Sequence, residues 1–511
     1  MLAASSSPGG DVHIGARLAE LAQSHPDRSA IVDDAGTWTF QRFHQRITRF
    51  GNAMHGLGLA KGDRIALLLP DCREYLEADY GAMAAGFVRV PMDPRLTRPE
   101  LVALLQCAGV RALVTHTTFS DKLDKLADDV ATLQSIVFVG KGAVLDYETL
   151  LAKSSEQALS IGDGEDLATL NFSGGTTGAP KAVMLRHRNL MTVAANTIQG
   201  FDIKSDAVFL NVRPLWPIAQ VILMSHLFAG ATVMLGGRFD ADRLAAMIDE
   251  SGATRTSLVP TQLVRWIEHL KSSDRMPKLE AIYVGGSRIP SAVFEHALDL
   301  LGPRIGVLYG MTEAPICSYL QPQELAGEER SRLMESVGRP LPAYRVRLAG
   351  VEENAVDASG EILVQGDNVM AGYWRNEDAT YQALRDGWLH TGDIGAFGGD
   401  GHLSIVGRLK EVIRSGSSSI MPKEVEDVIA AHPAVGEVAV LGLPDTEWGE
   451  AVTAFVVLKS GMSATEHDLV EHCRAHLASY KKPRAVRFVA SLPRSHYGKV
   501  IRAELLAQVA S

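Results

Sequence analysis

Between Asn171 and Met184 the chain reads NFSGGTTGAPKAVM. A strand-like stretch, Leu167–Phe172, runs into a loop of glycines and hydroxyls, and a second strand-like stretch resumes at Ala182–Leu185. Gly174, Gly175 and Gly178 let backbone N–H groups turn inward and approach phosphate oxygens closely, while Ser173, Thr176 and Thr177 add hydroxyl donors. Lys181 would then neutralise the β- and γ-phosphates of a nucleotide. The spacing is not that of a Walker A loop, because Ala179 and Pro180 separate Gly178 from Lys181 and no Ser or Thr follows the lysine. Taken alone, such a loop also reads as a plain turn between two strands.

Other groups could do chemistry further along. Glu313 follows a strand end and, taken alone, reads as a solvated loop glutamate. Asp393, beside Gly392, reads on its own as a turn-forming aspartate. His472 and His476 share a helix face with Cys473 nearby, but no further ligand at metal spacing accompanies them, so a polar helix face is the better reading. No Gly-x-Ser-x-Gly elbow supports a hydrolase triad.

These groups need a scaffold of more than one core, as 511 residues exceed what a single core holds. From Arg64 to Gly310 short β-branched runs alternate with amphipathic stretches. Arg64–Leu69, Phe87–Pro91, Arg111–Thr115, Ala207–Val212, Ala231–Leu235, Thr256–Val259, Ala281–Val284 and Gly306–Leu308 read as strands. Glu74–Gly86 and Arg98–Gly109 read as helices. This rhythm predicts parallel sheets covered on both faces, in two α/β subdomains. After Ser336 the strands come with Gly- and Asp-rich turns, predicting a small β-rich subdomain, and from about Lys410 a separate α+β lid follows. The expected class is therefore α/β, with residues 1–407 as the large N-terminal domain, a change of character at 408–410 and 411–511 as a small C-terminal α+β domain. A net charge of −10 argues against a nucleic-acid partner. Four scattered cysteines without a CxxC pair, no signal-peptide pattern and no apolar run near the ~20 residues of a membrane helix predict a cytoplasmic protein without a membrane span.

The glycine loop has company. Residues Ser173–Ala182 resemble the phosphate loop of the adenylate-forming superfamily of acyl-CoA synthetases, peptide-synthetase adenylation domains and luciferases. Similar motifs follow in that family's order: GGSRIP (Gly285–Pro290), YGMTEA (Tyr309–Ala314), GEILVQGDNVMAGYW (Gly360–Trp374), DGWLHTGDIG (Asp386–Gly395), GRLKEVI (Gly407–Ile413) and YGKVIR (Tyr497–Arg502). The resemblance spans nearly the whole chain and is closest to acyl- and aryl-CoA ligases. It implies ATP and Mg²⁺ as cofactors, with CoA or a carrier-protein phosphopantetheine as acceptor. It further implies Gly286, Ser287, Tyr309 and Gly310 around the nucleotide, with Tyr309 against adenine and Thr312 on the α-phosphate. Asp393 and Arg408 would hold the ribose, and Glu313 the metal. Residues 408–410 would be a hinge with Lys410 as its pivot, and the small domain would be mobile, bringing Lys499 in for adenylation. An ammonium at Lys499 would stabilise charge building around the α-phosphorus more than the ground state.

The departures concern the substrate. Pro217 stands where many relatives carry a histidine and where amino-acid adenylating domains carry an aspartate, so an ordinary α-amino acid is not expected. Trp216, Pro217, Ile218, Val221, Gly285, Gly310, Met311 and Ile316 form the expected acyl pocket, whose apolar lining suits a small aryl or aliphatic carboxylic acid. Ser417 replaces a usual glycine near the expected pantetheine tunnel. That leaves CoA in competition with an acyl carrier protein or another acceptor. A non-catalytic nucleotide-binding homologue is the rival from another class; it predicts a lost Lys499 or Glu313, and both residues are present.

Overall fold

The computed structural model describes residues 13–140, 145–159, 162–173, 180–216, 220–270, 276, 278–352, 358–416, 418–494 and 500–510. Gly174, Gly175, Thr176, Thr177, Gly178, Pro217, Ile218, Ser417 and Lys499 lie outside the described residues. The remainder falls into two compact units, one drawn from residues up to 345 together with 364–389, the other from 346–363 and 390 onward.

Two sheets organise the first unit. Five runs rich in apolar residues, Leu167–Ser173, Val88–Pro91, Arg64–Leu68, Ala112–His116 and Ser135–Val139, lie side by side in parallel. Lys181–Arg186 and then Gly372–Tyr373 extend that sheet in antiparallel fashion. Among the described residues the larger sheet has nine strands. Its parallel centre runs Ile305–Met311, Ala281–Gly285, Arg255–Leu258, Val208–Asn211, Thr232–Leu235 and Ser29–Asp33. Every strand expected from the sequence is found, within a residue or so at most ends. The parallel strands expected from the sequence form the centre of each sheet, and antiparallel strands are added at their edges. Ala314–Leu320 is buried at every position, so its pattern carries no alternation from which direction could be read. The two-residue turn after Met311 permits only an antiparallel return.

In the second unit, Leu403–Arg408 pairs antiparallel with Trp388–Phe397. Further on, Gly449–Leu458 pairs antiparallel with Val435–Asp445 and parallel with Ala485–Phe488. The helices Pro422–Ala430 and Glu466–His476 bury Val425, Ile429, Leu469 and Cys473 in one core with Val440, Val452 and Val456 of these strands. These elements form an α+β body within the second unit, which starts before Lys410, at 346–363 and 390.

The first unit also ties distant segments together with buried histidines. His13 and His187 stack at 3.7 Å, and each Nδ1 accepts a backbone N–H, from Gly15 and Ile14 respectively. Burial pushes His13 down to about 4 and His187 to about 3. Both are therefore neutral in the folded chain and take up a proton on unfolding anywhere below their ordinary value near 6.5. Their contribution to stability is fully present above that value and is lost as pH falls toward 4 and then 3. The unfolding free energy from urea melts should thus fall more steeply between pH 7 and 4 for the parent than for His187→Gln, by up to ~1.4 kcal/mol per pH unit. Parallel curves for the two proteins would contradict this.

Candidate active site

The glycine loop joins two strands of the seven-stranded sheet. Ser173 and Lys181, its flanking residues, face each other on the ladder, and the Ser173 hydroxyl reaches the Lys181 carbonyl at 3.4 Å. On the other side of Lys181–Arg186 the short strand Gly372–Tyr373 pairs with Met184 and Val183. That register sets the Tyr373 ring beneath Lys181, whose Nζ lies 4.9 Å from the ring centroid. The Tyr373 hydroxyl donates to Glu313 Oε1 at 2.8 Å, and the Glu313 carbonyl accepts the Met370 N–H at 2.8 Å. Lys181 and Glu313, expected to meet the same triphosphate, are thereby joined through one phenol. Burial, with the Glu313 carboxylate as the next cause, pushes the Tyr373 hydroxyl well above its usual range, so it stays a proton donor.

Tyr309, Gly310 and Met311 end a strand of the large sheet, Thr312 and Glu313 make the turn, and Ile316 lies on the returning strand. The pairing slips between Tyr309 and Met311, and Ile316 sits in the left-handed region at φ 50°. A β-branched residue rarely adopts that conformation, so this bulge is held by its surroundings. Gly310 crosses it so closely that a Cβ there would lie 2.3 Å from the Ile316 nitrogen. On the adjacent strand a Cβ at Gly285 would strike Leu308 at 2.3 Å, whereas Gly286, at φ 96°, has open space beside it. Ser287 follows in the same exposed segment. Gly285, Gly310, Met311 and Ile316 thus share three neighbouring strands, as a common pocket wall requires. Val221 is buried in the first turn of the helix Gln220–Phe228. Trp216 is partly buried, with the Arg95 guanidinium 5.5 Å from its ring, and the Leu215 N–H before it is held by Asp71 at 2.7 Å.

In the second unit Asp393 and Arg408 face each other across paired strands, with Arg408 Nε 2.9 Å from Asp393 Oδ1. Asp393 is buried while the Arg408 side chain is half exposed. Glu361 braces the strand just before Asp393: one oxygen accepts the Gly392 N–H at 3.0 Å and the other meets His390 Nδ1 at 2.8 Å. Lys410 is exposed, in the single turn Leu409–Glu411. The two helix histidines spend ring nitrogens on backbone, His472 Nε2 on the Val428 carbonyl and His476 Nδ1 on the His472 carbonyl.

Tyr373, Glu361, His390 and Arg95 were not singled out by sequence. The first three stand in or beside the motifs GEILVQGDNVMAGYW and DGWLHTGDIG, so the signal lay there without a role attached.

Residues 18–374 match the family model described as AMP-binding enzyme, and residues 424–499 match that of the AMP-binding enzyme C-terminal domain. The chain is 33% identical over 503 residues to a feruloyl-CoA synthase of an Amycolatopsis species, covering 96% of this chain and 98% of that one. It is 31% identical to a fatty acid–[acyl-carrier-protein] ligase of Streptomyces coeruleorubidus, over 95% and 94% of the two chains. In structure it is similar to an amide bond synthetase from Marinactinospora thermotolerans, with a TM-score of 0.88 at 26% identity, covering 97% of this chain and 99% of that one. The chain belongs to the AMP-binding enzyme family. It is an AMP-forming ligase of the acyl-CoA synthetase kind. Among the described residues no helix is long and apolar enough to cross a membrane.

Proposed function

We propose that the protein activates a small aryl or aliphatic carboxylic acid with ATP and transfers the acyl group to CoA. The observation that carries the nucleotide half is the chain Lys181–Tyr373–Glu313, a cation over the face of one phenol ring and a carboxylate on its hydroxyl. Among the described residues Lys181 has no ion-pair partner, and Tyr373 engages only one oxygen of the Glu313 carboxylate. That donor set fits a magnesium polyphosphate, for which Mg²⁺ would supply charge neutralisation between the phosphates. Replacing Tyr373 by Phe should raise the Mg²⁺ concentration for half-maximal activity about 10-fold, by freeing Glu313 to rotate; titration of activity against Mg²⁺ measures this, and an unchanged requirement would contradict it.

In the first half-reaction a carboxylate oxygen of the acid forms a bond to the α-phosphorus, and the bond to the bridging oxygen breaks, releasing pyrophosphate. Ser173, Thr176, Thr177 and the loop glycines hold the phosphates, Thr312 the α-phosphate, Tyr309 the adenine with Gly286 and Ser287 at its edge, and Asp393 with Arg408 the ribose. Lys499 stabilises the charge on the non-bridging oxygens as they crowd the phosphorus. In the second half-reaction the thiol loses its proton, its sulfur attacks the acyl carbon, and AMP leaves. Residues 411–511 act as the lid that turns about 408–410, with Lys410 as pivot.

Product analysis with a panel of aryl and aliphatic acids tests this reading: AMP, pyrophosphate and a CoA thioester should appear in equal amounts. A second reading, transfer to a carrier-protein phosphopantetheine, draws support from the similarity to an acyl-carrier-protein ligase and from Ser417. A thioester formed on a holo carrier protein but not on CoA would favour it and overturn the first.

A further inference from the structure

Asp393 owes its place to two side chains that take over backbone hydrogen bonds beside it. Trp388–Phe397 is hydrogen-bonded both to Ser359–Gln365 and to Leu403–Arg408, so Glu361, Asp393 and Arg408 lie on three joined strands. Gly392 stands at φ 71°, in the left-handed region that glycine enters without a Cβ penalty. A Cβ there would meet no atom within 4 Å, so the backbone conformation, rather than lack of room, calls for glycine. That twist takes the Gly392 N–H out of a regular ladder, and Glu361 accepts it at 3.0 Å. The Asp393 N–H is held in the same manner by the Thr391 hydroxyl at 3.1 Å, which itself donates to the Ile362 carbonyl at 2.7 Å.

Glu361 is fixed in turn. Its second oxygen lies 2.8 Å from His390 Nδ1, and only 13% of its side chain and 18% of the His390 side chain is exposed, which leaves little room for water to replace either contact. A carboxylate that accepts a backbone N–H and an imidazole N–H together cannot rotate without giving up one of them. Truncating Glu361 would leave the Gly392 N–H without that acceptor and the His390 ring without its anchor. The Asp393 carboxylate would then turn with the backbone that carries it. Arg408, 2.9 Å from Asp393 on a half-exposed side chain, can follow such a turn rather than prevent it.

We propose that Glu361, seated against His390, is a positioning residue for ribose recognition: by holding the Gly392 N–H it fixes the direction in which Asp393 presents its carboxylate to the two ribose hydroxyls. This rests on the reading of Asp393 as the ribose acceptor. Glu361 acts on the nucleotide only through the backbone of Gly392 and Asp393. A recognition group works when its supporting bonds hold it within about 0.5 Å of the productive place, so loss of Glu361 costs binding where ribose hydroxyls are there to be read. A nucleotide that lacks those hydroxyls has nothing to lose.

The test is titration calorimetry of the full-length protein with ATP and with 2′,3′-dideoxy-ATP, both with Mg²⁺, beside thermal melting of each variant. It requires neither the acid nor the thiol. The parent should bind ATP at least about 10-fold more tightly than the dideoxy nucleotide, as hydrogen bonds to a charged acceptor allow, and Asp393→Ala should erase that difference. Glu361→Ala should weaken ATP by about 10-fold and dideoxy-ATP by less than about threefold. Glu361→Gln, which keeps an oxygen for the Gly392 N–H, should recover most of the affinity for ATP. His390→Ala should show the same ribose-selective loss to a smaller degree, and it carries the test if Glu361→Ala does not fold. Equal weakening of both nucleotides in these variants would reduce Glu361 to a structural role and overturn the proposal, as would unchanged binding of ATP. A parent without preference for ATP, or a preference that survives in Asp393→Ala, would instead sink the reading of Asp393, and this proposal with it.

Discussion

Lys499→Ala is expected to lower acid-dependent ATP–pyrophosphate exchange by about 100- to 1,000-fold, the effect of removing one preorganised charge donor from a transition state. As the acid's oxygen approaches the α-phosphorus, charge concentrates on oxygens that the ground state shields less closely, so the ammonium favours the transition state over bound ATP. The Michaelis constant for ATP should therefore change little, since the proposed function assigns ground-state binding to Lys181, Asp393 and the loop donors. Thioester formation from supplied acyl-adenylate should persist. A variant that loses ATP affinity in proportion to rate would make Lys499 a binding residue only.

Gly310→Ala is expected to cost about 3 kcal/mol of stability and most of the exchange activity. The added methyl would lie 2.3 Å from the Ile316 nitrogen, 3.0 Å from its Cα and 3.2 Å from the Ala314 carbonyl oxygen. All three are backbone atoms of a strand paired on both sides, so none can rotate aside as a side chain does. Ile316 already occupies the left-handed region, and relief by shifting it would disturb the Thr312–Glu313 turn. Gly327→Ala provides the contrast: no atom lies within 4 Å of its Cβ position, and a change within about 0.5 kcal/mol is expected there. Urea melts of the two variants measure the difference, and similar midpoints would show that the bulge yields.

The parallel strands could be read because both of their faces are buried, which makes runs such as Arg64–Leu68 nearly continuous in apolar residues. Strand direction could not. Ala314–Leu320 is as buried as any parallel strand, and only its pairing with Ile305–Met311 reveals the reversal. Buried charge was equally hidden. Glu77 and Arg89 sit in segments read from pattern as helix and strand, yet Arg46 pairs with Glu77 at 2.8 Å and Arg89 with Asp79 at 2.9 Å in the interior. The candidate site divides in the same way. Ser173, Lys181, Glu313, Asp393 and Arg408 are legible because each stands in a short ordered motif. Tyr373 became meaningful only when the Gly372–Tyr373 strand brought it against Glu313, sixty positions away. No local pattern encodes a pairing of that range.

The most direct test of acid activation is ATP–pyrophosphate exchange in the absence of any thiol acceptor, across aryl, aliphatic and amino acids. Label should enter ATP only when a suitable aryl or aliphatic acid is present and Mg²⁺ is supplied. No exchange with any acid, from protein shown to bind ATP, would contradict the account.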